Sequence, residues 1–344
     1  MAIDLSFAPC AARAAELDAR MHTELAGSMR YLSRESIEAV PHDLSGIERV
    51  ARRIERGGRV APLTFADYYD CGSALFDSDD AAAAAAFARF AAAAKRAPGI
   101  EIRPLRDASD RKDSCRLIAM LQPEDDRLQL VLPAAASTAG FGARVQAGLA
   151  VLDRAVPELA NEIRALVSEV VPVACDRSRA MVMDGGSHYR LWGALFLNVE
   201  FHNTPLAMAE VLAHESAHSL LFGFCTHEPL TLNDDDARFK SPLRPDPRPM
   251  DGIYHATFVS ARMHLAMCAI LEAGMLDTAG TAHAIVARDA DQRNFEAGYA
   301  VVRDHGELTA LGRALMDGAH DYMTRAAAVR THRSASIQPR AQAG

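Results

Sequence analysis

Apolar positions recur with a helical period through the first half of the chain. Residues 17–33, 44–56, 80–96 and 141–154 are rich in Ala, Leu and Arg, all strong helix formers, and each stretch predicts a helix. Gly57-Gly58 and Pro98-Gly99 supply stops after the second and third. Residues 155–171 read as one more amphipathic helix, and the short runs 100–105 and 128–132 as strands between turn signals. Near Val170 the texture changes. An apolar run at 179–183, the turn cluster Asp184-Gly185-Gly186-Ser187 and a second apolar run at 191–199 predict two strands flanking a glycine turn. Thr204 then offers a helix cap and Pro205 a first helical residue, opening a long helix over 206–224 that Gly223 and Pro229 bring to an end. A polar loop and a proline-punctuated segment, 241–249, lead to a second long helix from Asp251-Gly252 to about residue 276. Further helices fill 281–329, and 334–344 reads as a flexible tail.

The predicted class is therefore mainly α (α+β). Three regions follow: a helical part over 1–170 that caps the core or receives a peptide, a chemistry-bearing part over 171–333, and the tail. The first two are expected to form one compact catalytic unit. At 344 residues and 49% hydrophobic, the chain is long enough to bury a substantial core without covalent staples. A formal net charge of −8 argues against a nucleic-acid partner. Lysine occurs only at Lys95, Lys112 and Lys240, and the Arg- and Ala-rich composition looks like bacterial coding bias. The cysteines are single, with no C-x-x-C pair, which suits free thiols in a reducing compartment. The first residues carry Asp4, Glu16 and Asp18 and lack the basic start and apolar stretch of a signal peptide, and no long uncharged apolar run occurs. The expectation is a cytoplasmic protein without membrane association; its oligomeric state is open.

The informative motif is His214-Glu215-Ser216-Ala217-His218, in the middle of the helix that Thr204 opens. Residues i and i+4 share a helix face, so two imidazoles there can hold one metal ion, with Glu215 flanking them. Two histidines and a glutamate in so apolar a helix are costly unless paired or metal-bound. A third ligand is required. Leu221 and Phe224 stand where a metzincin needs glycine and histidine, which excludes that class. Glu228 and the run Asp234-Asp235-Asp236 lie in a loop of solvated character. His255, near the start of the next long helix, would complete a cage built on a helix pair, with the small sheet or hairpin beside it.

The stretch from His214 to about Arg262 resembles the HExxH-motif family of iron- and 2-oxoglutarate-dependent peptide β-hydroxylases that act on ribosomally made, post-translationally modified peptides. The likeness rests on three pieces: the His214–His218 motif, the segment Pro242-Leu-Arg-Pro-Asp-Pro-Arg-Pro249, and Gly252-Ile-Tyr-His255 after it. It extends more weakly to 194–198 and 305–312, and residues 1–170 carry no motif. The chain keeps both arginines of the family's proline segment but lacks the tryptophan often seen between those arginines or soon after His255.

The resemblance implies His214, His218 and His255 as iron ligands, a 2-oxoglutarate cosubstrate, O₂, and a precursor peptide as substrate. Such chemistry needs three protein ligands and open coordination positions. The distal carboxylate of the keto acid needs a planar, permanently charged fork, for which Arg248 and Arg244 are the candidates and Arg262 a reserve. A peptide is expected to pair with the edge of the 191–199 strand. Glu215 would orient a ligand or the substrate. In the alternative reading, a zinc-dependent metallopeptidase, it would be the general base. The remaining histidines have no ligand spacing, and His188 is the first to reconsider. No Walker loop, G-x-G-x-x-G or G-x-S-x-G occurs, so nucleotide-binding and serine-hydrolase readings lack support.

Overall fold

The computed structural model describes residues 3–105, 111–122, 127–242 and 246–337. Its elements run α1 (Ala11–Ser36), α2 (Leu44–Glu55), α3 (Pro62–Phe76), α4 (Asp80–Ala91), β1 (Glu101–Ile102), α5 (Arg111–Leu121), β2 (Leu130–Val131), α6 (Ala135–Thr138), α7 (Phe141–Ala155), α8 (Pro157–Leu166), β3 (Glu169–Cys175), β4 (Gly185–Ser187), β5 (Ala194–Asn198), α9 (Pro205–Phe224), α10 (Met250–Glu272), α11 (Thr278–His305) and α12 (Ala310–Ile337). The protein is thus mainly helical with one small mixed sheet. Contacts divide it into two compact units, Cys10–Thr226 and Met1–Pro9 with His227–Gly344. Residue 170, where the sequence changes texture, lies inside the first unit, in β3. Among the described residues no helix is long and apolar enough to cross a membrane.

In the Cys10–Thr226 unit, local signals start the helices. Asp43 and Asp79 cap α2 and α4 by accepting from the backbone N–H of Gly46 and Ala82, and prolines open α3, α8 and α9. Helix α1 buries Leu17, Met21, Leu25 and Met29, one residue per turn along one face. It packs against α2, α8 and α9. The sheet order is β1-β3-β5-β4, with β2 also paired to β3. β3 runs parallel to β1 and β5 and antiparallel to β2, and β4 is antiparallel to β5. Pro172, which has no N–H to donate, falls between the stretches of β3 that pair with β1 and with β2.

Several expectations change here. The helix foreseen over 155–171 ends at Leu166, and Val170 and Val171 belong to β3, buried along its whole length. A strand covered on both faces reads as a continuous apolar run, which periodicity does not separate from a buried helix. The strand at 179–183 is not formed; the glycines read as a turn are themselves the strand β4. The 191–199 strand narrows to β5 and lies between β3 and β4. It therefore has no open edge for a peptide; β4 is the terminal strand. The helix expected to reach residue 96 stops at Ala91, because tertiary bonds take the next stretch: Arg96 N–H donates to Arg59 O at 2.8 Å and the Arg53 guanidinium to Ala93 O at 2.5 Å. Helices α3 and α5 were not foreseen.

Helix α9 is set against α7 by a close approach. A Cβ on Gly148 would lie 2.6 Å from Met208 Cγ and 3.0 Å from the Ala209 backbone nitrogen. Gly148→Ala should therefore force the two helices apart and destabilise the protein by about 1–3 kcal/mol. Denaturant unfolding measures this, and an unchanged midpoint would contradict the packing.

In the other unit α10 packs against α11 and α12. Short antiparallel bridges, Thr231 with Leu308 and Phe239 with Arg248, tie its loops. Helix α12 continues to Ile337, beyond the expected start of the tail; residues 338–344 lie outside the described residues.

Candidate metal centre

Helix α9 has the predicted start. The Thr204 hydroxyl accepts from Ala207 N–H at 3.1 Å, and Pro205 occupies the first turn. It is buried on nearly every side, with α7, α8, α1 and β4 packed around it. A helix so enclosed needs a reason for polar side chains at its centre.

His214 and His218 lie one turn apart, and their Nε2 atoms are 3.2 Å apart with the rings inclined at 61°. Two nitrogens at that separation can each sit about 2.1 Å from one ion, with roughly 100° between the two bonds. That suits adjacent positions of a tetrahedral or octahedral site. The His214 side chain keeps 25% of its surface exposed, so the pair is not sealed within the helix packing. Burial depresses the His214 pKa, opposed by Asp184 and reinforced by His202, which favours the neutral imidazole a metal requires. The His218 ring stacks on Phe222 one turn further on, and Phe222 meets Tyr189 edge-on.

Glu215 is 3% exposed. Its Oε2 accepts from the Ser187 hydroxyl at 3.1 Å, and its Oε1 lies 3.9 Å from His214 Nε2. Desolvation pushes the carboxyl up to about 8, with Asp184 adding to the rise and the Ser187 bond opposing it. Strand β4 comes this close because it is made of glycine: a Cβ on Gly185 would lie 2.7 Å from Glu215 Oε1 and 3.1 Å from Val211 Cγ2. Ser187 was not among the expected site residues. The string Asp184-Gly185-Gly186-Ser187 was visible, but as a turn.

The structure thus brings His214, His218, Glu215 and Ser187 together in one unit, and places the other expected residues on the elements of the second. His255 is on α10, 7% exposed, with its pKa lowered by burial and raised by Asp251, whose Oδ1 is 3.9 Å from Nε2. Among the described residues, no three His, Cys, Asp or Glu side chains converge as a metal cage. Arg248 pairs through its backbone with Phe239, at 2.8 Å in both directions. Its guanidinium is half-exposed, 3.7 Å from Asp246 Oδ2. Arg244 lies outside the described residues. Arg262, the reserve for that fork, has partners of its own. It is 1% exposed, its Nη1 donates to Phe7 O at 2.8 Å, and its guanidinium lies over the Phe7 ring. Phe7 in turn packs on Phe258 and Tyr322. Arg262 therefore fastens the N-terminal segment to α10, a reason for its burial that needs no keto acid. His188, read as ordinary, has a local role: its Nδ1 accepts from Arg190 N–H at 3.2 Å and caps the single helical turn at 189–191.

Against models of known protein families and against curated proteins, the chain finds no match.

Proposed function

We propose that the protein is an iron(II)- and 2-oxoglutarate-dependent dioxygenase that hydroxylates the β-carbon of a residue in a ribosomally made precursor peptide. The observation that carries the reading is the His214–His218 pair, with Nε2 atoms 3.2 Å apart in a buried helix beside the terminal strand of the sheet. Those two residues fit adjacent positions of a metal, and His255, by the sequence resemblance, would supply the third. Iron bound with 2-oxoglutarate and O₂ supplies oxidation of an unactivated C–H bond. Arg248 would hold the distal carboxylate of the cosubstrate through parallel N–H bonds. Strand β4, paired on one side with β5, would align the peptide through main-chain hydrogen bonds along its other side. The Ser187–Glu215 bond would then couple that strand to the metal helix. Free thiols at Cys10, Cys71, Cys115, Cys175, Cys225 and Cys268 support a cytoplasmic setting.

A zinc-dependent peptidase is the second reading, favoured by the carboxyl group of Glu215 standing 3.9 Å from His214 Nε2. One experiment separates the two. The protein is loaded anaerobically with iron and given 2-oxoglutarate, O₂ and candidate precursor peptides. The expected products are succinate and singly oxygenated peptide. Absence of both, together with peptide cleavage by the zinc-loaded protein, would overturn the proposal. Glu215→Gln adds a second readout. A hydroxylase should keep activity within about tenfold, whereas removing a general base costs about 10²–10⁴-fold.

A further inference from the structure

Far along the chain from the metal motif, helix α2 carries a stripe of cations. Arg49, Arg52, Arg53 and Arg56 stand at i, i+3, i+4 and i+7, which places them on one helix face. With Lys95 they line an open cavity of about 720 Å³. The opposite face of α2, with Ile47, Val50 and Ile54, is buried, so the stripe is carried on a fixed element. Two of the five cations are engaged: Arg53 donates to Ala93 O, and Arg52 to Glu48 Oε1 at 2.6 Å. Glu48, the acid in the lining, is also held by Arg30 at 2.7 Å, so its charge is already matched. Arg49, Arg56 and Lys95 are exposed and form no ion pair among the described residues. In a chain of net charge −8 this is a concentrated positive groove.

We propose that this groove binds a short acidic segment of a peptide partner. The spacing favours an extended chain. Arg49 and Arg56, two turns apart, are separated by roughly 10.5 Å along the helix, and residues three apart on one face of an extended, polyproline-II-like peptide by about 9.3 Å. Carboxylates three positions apart would therefore meet the guanidinium groups of Arg49 and Arg56, each able to take a carboxylate through paired N–H donors. A polynucleotide fits less well. No aromatic side chain lines the cavity to stack a base, and a polyanion running past the groove would meet the field of an acidic protein. An acidic run within an otherwise neutral peptide avoids that repulsion. The natural partner is the precursor peptide, an identification that rests on the proposed function; the anion preference of the groove stands without it.

The test is fluorescence anisotropy with the full chain and a labelled Gly/Ser peptide carrying glutamate at every third position. The expected result is saturable binding in low salt, lost when glutamine replaces glutamate. The charge-removing variant R49Q/R56Q/K95Q, with unchanged far-UV circular dichroism, should weaken it at least tenfold. His214→Ala should leave it intact, so loss of the hydroxylase reading and loss of this one are read separately. No binding, equal binding by the triple variant, or tighter binding of a single-stranded oligonucleotide or inorganic polyphosphate would each overturn the proposal.

Discussion

Replacing His214 or His218 with alanine is expected to abolish tight binding of a divalent metal and, with it, catalysis. The drop in affinity should exceed the roughly 10–100-fold that loss of an outer-sphere partner costs, because in the proposed centre each imidazole is itself a ligand. The metal-free protein should not suffer in parallel. Alanine is the best helix former, and the substitution removes from the metal-free helix a single hydrogen bond between two partly exposed imidazoles, 3.2 Å between the Nε2 atoms. Metal titration together with thermal unfolding of the metal-free protein checks both halves. Unchanged affinity in both variants would remove the pair from the site. Collapse of the metal-free fold would make the histidines structural.

The second large effect is acid sensitivity centred on His264. This residue of α10 is fully buried, with Nδ1 3.0 Å from the Tyr322 hydroxyl and the Cys268 thiol 3.8 Å away. Desolvation, with Arg330 and Arg288 nearby, depresses its pKa to about 4, opposed by Asp289. An unfolded chain takes up that proton near pH 6.5, so between those values the unfolded state binds more protons and stability decreases as the pH is lowered. The stabilisation is fully present above about pH 6.5 and is lost as pH drops toward 4, a difference of about 3 kcal/mol. His264→Gln keeps the size and removes the titration. Denaturant unfolding across that range should show the wild type losing about 3 kcal/mol more than the variant. Parallel profiles would show that His264 does not control the acid response.

The helix that bears the candidate metal pair was legible in the sequence because its signals are local. Thr204 caps it, Pro205 starts it, and i,i+4 spacing puts His214 and His218 on one face whatever surrounds them. The composition likewise pointed to a mainly helical protein. Helix α3 was not legible, since its buried face carries an acid: Asp67, 4% exposed, is held by Arg89 at 2.6 Å and Arg116 at 2.7 Å. Those arginines come from α4 and α5, and a hydrophobicity pattern records no such neutralisation.

What the chain determined by itself, then, is the existence and start of α9, the histidine pair on it and the helical class, all matters of neighbours within a few residues. Only the tertiary structure decided that β4 rather than β5 ends the sheet, and that the glycines of residues 185–186 are a strand pressed onto Glu215. It also decided that the Ser187 hydroxyl, 28 positions away, holds that carboxylate. The same holds for Arg262, whose sequence position suits a carboxylate fork but whose guanidinium is taken by the carbonyl and ring of Phe7. Such assignments depend on which distant backbone and side-chain groups arrive in hydrogen-bonding reach. That is set by packing of whole elements and leaves no periodic trace in the residues themselves.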